Sequence, residues 1–453
     1  MHSYHRPTSL AEAVELAAQG VVPLGGGTRV LASAVELPNL LDLVGLGLSA
    51  VYVEDEDLVV GATATLQDLV ESPLAYPATA GLLPLACRTA AASRTIRGMA
   101  TLAGEAVQGD PDSELVAALL ALNAVFTIAH PREPRESPAL RFLRDPTTDL
   151  EGGGLVEKVL IPGAPHGAAL ERVAALPSLP PLVSVVVTTT FSGERLSRVR
   201  VATTGLTGRP ARVVEAESHV ERTAGDDEVL REAAELVARA APFRADAEAS
   251  AEHRRQLARV LALRALRGAV DRGRRRQPPD IPRLRPPASH RGAAPLANFT
   301  SGRLDVTANG RKLRVDAEAR TTLLDLLRGA GIFGAKAGCG AGRCGACTVL
   351  LDGRPVASCL TLAVRAQGRT LLTVEGLGTT ARPHVLQTVF AEEQAIGCGF
   401  CTPALLLGAK SLLDAVTNPT EAEVREALTG LCRCTGYVKP VQAVLAAASR
   451  RER

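Results

Sequence analysis

The sequence predicts a multi-domain α+β protein, and three observations predict it. The 453 residues exceed the roughly 100 to 200 of one ordinary domain. Short apolar runs of strand type alternate with helical patterns along the first part. Eight of the 9 cysteines lie beyond residue 338, so a chemically distinct C-terminal part follows.

Composition excludes several classes of function. An aromatic content of 3% with no Trp argues against stacking on nucleic-acid bases, and a net charge of +3 supplies no field for polyanions. No nucleic-acid partner is therefore expected. The N-terminus has no apolar core of signal-peptide type, and no uncharged run reaches the roughly 20 residues of a membrane span. A cytoplasmic chain without a membrane span is the expectation.

Taken in order, "VVPLGGG" reads as a buried strand running into a glycine turn, and "LPNLLDLVGL" as a strand and turn. "ELVAALLALNAVF" reads as an apolar helix feeding a strand. A second unit starts near residue 153, with strands "LVEKVLI", "LVSVVVTTTF" and "LSRVRVATTGL" in a small three-stranded sheet and helices at 226–241 and 250–268. Residues 269–300 combine Pro pairs and Arg without periodicity, which is linker composition. After them come a strand, an Asn309-Gly310 turn, a second strand and a helix, the opening of a ubiquitin-like or ferredoxin-like sheet. From residue 384 the pattern turns helical, with Thr420 and Glu423 forming a capping box.

Cys339, Cys344, Cys347 and Cys359 give C-x4-C-x2-C and a fourth Cys beyond a hairpin, the spacing of a plant-type [2Fe-2S] site. Gly338, Gly340, Gly342 and Gly345 are expected to let this loop adopt positive φ and turn N–H groups toward anionic sulfur. A structural zinc, the alternative, uses paired short hooks. Cys398, Cys401, Cys432 and Cys434 form a C-x2-C and a C-x-C; alone they suit zinc as well as iron, and directly after a plant-type site they favour a second [2Fe-2S] cluster. Thr402 and Pro403 read as N-cap and first residue of a helix whose positive end favours a Cys401 thiolate. Cys87 has no Cys or His nearby and reads as a core residue.

"GCGAGRCGACTVLLDGRPVASCL", "GCGFCTP" and "LCRCTGY" resemble the three signatures of the iron-sulfur subunit of molybdenum hydroxylases of the xanthine oxidase type, over residues 303–448. "PLGGGTRVL", "TIRGMATLAGEAV", "DSELVAALLALNAVF" and "SAEHRRQLARVLALRAL" resemble that family's flavin subunit in the right order. The resemblance implies a two-lobed FAD-binding domain at 1–162 with a small α+β C-terminal lobe at 163–268, then the Arg/Pro-rich linker 269–300. It further implies a β-grasp, plant-ferredoxin-like [2Fe-2S] domain at 301–376 and an all-α four-helix [2Fe-2S] domain at 377–450.

The resemblance also implies where FAD binds: Leu24, Gly25, Gly26, Gly27, Thr28, Arg29 and Val30 with Ala100, Thr101, Ala103, Gly104 and Glu105 near pyrophosphate and ribityl, and Ser113 and Glu114 near adenine. The chain departs from the family at several places. Arg29 replaces an acidic or small polar residue, Ala103 and Glu105 stand in a Gly-Gly-Asn position, and Gly397, Ala404 and Gly430 replace Gln, Gly and Asn. A carboxylate at Glu105 repels a pyrophosphate unless Arg29 or Arg97 neutralises it.

The function so implied is that of an electron-transfer subunit. Molybdopterin is expected only on a partner catalytic subunit, in a hetero-oligomer, with electrons passing through both clusters to FAD and on to NAD, oxygen or a quinone. A free-standing flavin and iron-sulfur reductase is the alternative, and a zinc protein with a basic nucleic-acid arm is a third reading.

Overall fold

A computed structural model of the chain describes residues 3–33, 38–91, 93–176, 179–275 and 298–451. The first lobe is built on a five-stranded antiparallel sheet in the order Val51–Glu54, Asp57–Gly61, Leu155–Ile161, Val125–Ala129, Arg135–Pro138. The helices Leu66–Glu71, Leu82–Ala90 and Glu114–Ala121 pack on it, and every residue of the last is buried. Such an all-round apolar helix is a core element. Cys87 is fully buried there, and burial pushes its thiol up.

The strand "LVEKVLI" belongs to this lobe and not to the second unit. Its partners are Asp57–Gly61 on one side and Val125–Ala129 on the other, pairings that sequence order does not reveal. The second lobe has four strands instead of three: Gly167–Val173, Val183–Ser192, Arg195–Thr203 and Ala211–Arg212. Pattern reading misses two of them, Ala211–Arg212 and Gly167–Val173, and the latter starts with Gly-Ala-Ala because a helix lies across it. A Cβ on Gly167 would stand 2.0 Å from the Ala269 carbonyl oxygen. That helix, Ala251–Arg275, runs seven residues past the expected end at 268, since Ala269, Val270 and Gly273 are buried against the sheet.

The stretch read as linker is therefore helical up to Arg275, and at its other end Asn298–Phe299 is a strand; residues 276–297 lie outside the described residues. Phe299 pairs with Tyr4 in a small sheet ordered Asn298–Phe299, Tyr4–His5, Leu40–Asp42, Val22–Leu24.

The next part is a five-stranded sheet, Arg311–Glu318, Ser301–Ala308, Thr370–Leu372, Thr348–Leu351, Arg354–Ala357, with the helix Leu323–Gly329. Asn309 and Gly310 take φ of 52° and 77°, as a tight hairpin turn requires. Four helices close the chain: Val385–Glu392, Thr402–Ala415, Glu421–Ala427 and Val438–Arg451. Thr420 and Glu423 form the expected reciprocal cap. No helix among the described residues is long and apolar enough to cross a membrane.

The N-terminal part and the cysteine-bearing sheet are packed together. Tyr4, Leu24, Leu40 and Met99 of the N-terminal part share a single hydrophobic core with Leu304, Leu324, Val349 and Leu360 of the cysteine-bearing sheet.

Candidate functional site

The strand Val22–Leu24 delivers the triple glycine to the wall of a cavity of about 400 Å³. Leu24 to Val30 line it together with Thr101, Ala103, Gly104 and Glu105. Thr101 caps the facing helix Leu102–Gln108, its hydroxyl accepting from the Gly104 N–H at 3.2 Å. The two walls touch. A Cβ on Gly26 would stand 1.7 Å from the Met99 carbonyl oxygen, so the turn is bare for a packing reason.

Ala100 is buried, outside the lining, while Ser113 and Glu114 also stand outside it. Ser113 caps the helix Glu114–Ala121, and Glu114 pairs with Arg172 at 2.9 Å. A second glycine triplet, Gly152 to Gly154, completes the cavity with Thr63. The pattern "EGGGLV" repeats the first triplet beside a strand, and that signal went unused in the sequence. Of the two candidate neutralisers of Glu105, Arg29 fills the role, with Nε 3.2 Å from Oε1 and Nη2 2.8 Å from Oε2. Arg97 instead reaches Gln67, the Ala91 carbonyl and Glu426.

The eight C-terminal cysteines fall into four thiol pairs, Cys339 with Cys344, Cys347 with Cys359, Cys398 with Cys434 and Cys401 with Cys432. Two thiolates per iron is what a two-iron cluster takes from a four-cysteine set. Among the described residues no three ligating side chains converge on a single-ion point, a geometry distinct from paired thiols. The loop donates to sulfur as expected: N–H groups of Ala341, Arg343 and Cys344 stand 3.4, 3.2 and 3.3 Å from Cys339 Sγ. Against burial, which raises it, those donors bring the Cys339 thiol below its ordinary value.

Gly340, Gly342 and Gly345 have φ of 68°, 71° and 66°. Gly338 does not share that conformation; it is bare because a Cβ would stand 2.7 Å from Cys344 Sγ. In the second set the N-cap is Cys401 itself, one residue before the expected Thr402, and no side chain caps the helix. Burial and the Cys432 sulfur push Cys401 up to about 12. Its partner Cys432 moves down to about 7: burial raises it, and Thr435 and Cys434, donating at 3.2 to 3.4 Å, outweigh that. Within this pair Cys432 is the thiol its surroundings favour as thiolate. Thr435, and Tyr437 whose hydroxyl accepts from the Cys432 N–H at 2.9 Å, are site residues that the motif contains and sequence reasoning left without a role.

The two cysteine sets meet. The Leu431 N–H donates to the Cys344 carbonyl at 2.8 Å, and Gly345 abuts the Thr429 carbonyl. The first set in turn rests on the segment behind the glycine turn: Gly342 lies against Ile96, and the Ala357 N–H points at Met99 Sδ at 3.3 Å. Arg365 ties the two parts from within, donating to the Gly25 carbonyl at 2.7 Å and to Asp42 at 2.7 and 2.9 Å.

A glycine-walled cavity and two four-thiol centres, the first centre packed between the second and the residues behind the glycine turn, are the features of an oxidoreductase that carries flavin and iron-sulfur groups. Comparisons with known proteins agree. Profiles described as FAD binding domain in molybdopterin dehydrogenase, CO dehydrogenase flavoprotein C-terminal domain, 2Fe-2S iron-sulfur cluster binding domain and [2Fe-2S] binding domain match residues 1–164, 181–269, 306–373 and 373–445. The chain is 51% identical over 144 residues to the nicotine 6-hydroxylase small subunit of Paenarthrobacter nicotinovorans, covering 31% of this chain and 87% of that one. It is 44% identical to the nicotinate dehydrogenase small FeS subunit of Eubacterium barkeri, over 32% of this chain and 95% of that one. Among solved structures, a chain of CO dehydrogenase from Oligotropha carboxidovorans superposes with a TM-score of 0.54 at 26% identity, covering 59% of this chain and 97% of that one. A chain of quinoline 2-oxidoreductase from Pseudomonas putida 86 gives 0.55 at 25%, over 60% and 97%. The chain belongs to the molybdenum hydroxylase family, as a component that binds FAD and two [2Fe-2S] clusters.

Proposed function

We propose that this chain is the electron-transfer subunit of a molybdenum hydroxylase, taking electrons from a separate molybdopterin-binding subunit and passing them to NAD, oxygen or a quinone. The observation that carries this reading is the unbroken line of contacts from Leu431 and Cys344 through Gly342 and Ile96 to Met99 and Gly26. When bound, FAD supplies the exchange between single electrons and a pair that iron-sulfur centres lack. Everything else in the proposal concerns the chain's own residues.

In this reading Cys398, Cys401, Cys432 and Cys434 hold the centre that faces the partner, and Cys339, Cys344, Cys347 and Cys359 hold the centre beside the flavin. Ile396, Phe400 and Leu431, next to the second set in sequence, are 43, 45 and 62% exposed, an apolar surface suited to a docked subunit. The N–H donors on Cys339 and Cys432 stabilise negative charge on sulfur and so set how readily each centre is reduced. Leu24 to Val30 and Thr101 to Glu105 form the cradle for FAD, and the chain works in the cytoplasm as part of a hetero-oligomer.

A second reading, a free-standing reductase, draws on Gly397. A Cβ there would stand 2.4 Å from the Cys434 Cβ, so the Gln that the family resemblance leads one to expect does not fit this loop, and the surface offered to a pterin is altered. Low-temperature EPR with spin counting on dithionite-reduced protein tests the relay: two distinct [2Fe-2S] signals, each of about one spin per chain, are expected. Purification from its own cells then separates the readings. A copurifying molybdenum-containing chain supports the first, and intact NADH-dye activity without one supports the second.

A further inference from the structure

We infer that Glu105 is a built-in counter-anion that occupies Arg29 and thereby sets how tightly the cavity holds the phosphates of its cofactor. The inference rests on reading the cavity as the FAD site. Arg29 is the single cationic side chain, and Glu105 the single carboxylate, among the described residues that line it. They face each other through two hydrogen bonds, at 3.2 and 2.8 Å, a geometry that satisfies the guanidinium fork with an internal partner. The Glu105 side chain is 7% exposed and that of Arg29 43%, so the carboxylate is the fixed member and the guanidinium the member that a ligand can reach. Asp110 stands 3.6 Å from Arg29 Nη1 and adds a second negative charge at the rim.

The balance of charge has a direct consequence. A ligand diphosphate brings two further negative charges into a cavity where the one cation is already neutralised, so it finds no free positive charge. What remains for it is neutral. Among the described residues, the backbone N–H groups of Gly25, Gly26, Gly27 and Thr28 donate to no backbone carbonyl, and they stand on the same wall. Phosphate is thus held by N–H groups alone while Glu105 keeps Arg29 from it and Asp110 leaves a residual negative charge, and FAD binds more weakly than the cradle allows. Releasing Arg29 from Glu105 supplies a charge-assisted contact that the native pair withholds.

The test uses the full chain after removal of its flavin, with binding followed by quenching of flavin fluorescence. Glu105→Gln, nearly isosteric, is expected to tighten FAD at least about tenfold, the worth of one added charge-assisted hydrogen bond. Arg29→Ala, which leaves the carboxylate unpaired, is expected to weaken FAD by about tenfold or more, and the double variant to fall between the two. Riboflavin, which has no phosphate, should bind all four proteins alike. Raising the salt concentration gives an independent sign: it should strengthen FAD binding to the native chain, by screening repulsion, and weaken it for Glu105→Gln, by screening attraction. FAD binding unchanged in Glu105→Gln, or riboflavin affinities that move in parallel with FAD, would overturn the inference while leaving the FAD site standing. Failure of the native chain and every variant to bind any flavin would remove the FAD reading itself, and the inference with it.

Discussion

Replacing Arg365 by Met removes a side chain that joins the cysteine-bearing sheet to the glycine turn from inside the shared core. The cost follows from what is left behind. Asp42 is 2% exposed in its side chain and loses two guanidinium contacts, at 2.7 and 2.9 Å, keeping only the Tyr4 hydroxyl and the Val44 N–H. Breaking a buried pair by removing one partner costs about 3–5 kcal/mol, because the remaining charge is stranded. The two surviving donors place Arg365→Met near the lower end, about 3 kcal/mol, or roughly a hundredfold in the folded-to-unfolded ratio. Arg320→Met is the control: its pair with Glu318 is 66 and 61% exposed, and loss of such a pair costs about 1 kcal/mol or less. Urea unfolding followed by far-UV circular dichroism, with flavin retention on gel filtration as the second readout, compares them. Arg365→Met should shift the first transition strongly and release flavin, since the Gly25 carbonyl loses its anchor. Adding Asp42→Leu should restore most of the stability, because apolar groups replace the stranded charge. An Arg365→Met chain no less stable than Arg320→Met would refute the view that this residue locks the two parts together.

Cys432→Ser is expected to halve the iron content and remove one of two EPR signals while FAD stays bound; loss of FAD in that variant would count against the assignment of this set to the partner-facing centre. Gly26→Ala forces a methyl group into the Met99 carbonyl, 1.7 Å away, and should destabilise the chain by about 1–3 kcal/mol or more with loss of flavin, read from urea curves and the visible spectrum. Thr435→Val takes away the hydroxyl 3.2 Å from Cys432 Sγ and should lower the reduction potential of that centre alone, which an EPR-monitored redox titration resolves.

Reading the sequence succeeded where the determining interactions are local. The C-x4-C-x2-C run, the Asn309-Gly310 turn and the Thr420 cap each close within a few residues, so their spacing carries their geometry. It failed where an element's role is set from far away. "GAALERV" shows no strand signal because its bare glycine answers a helix a hundred residues later, and Ala269 to Arg275 read as linker because what buries Gly273 is Gly167 and Phe191. Gly338 shows the same limit inside a motif: glycine was expected for its φ, and the structure requires it for the volume of a neighbouring sulfur. The departures from the family pattern gain physical content in the same way. Arg29 and Glu105 each depart from the family pattern alone, and their 76-residue separation hides that they form one ion pair. Arg365 and Asp42 are 323 residues apart and signal nothing in sequence, yet they close the core across which the flavin and iron-sulfur parts meet. The proposed electron transfer needs centres held at fixed separation, and long-range buried contacts are what join the two parts. The cysteine pairs are therefore legible from spacing, while the framework that holds the two sets against the glycine-turn part is legible only from the fold.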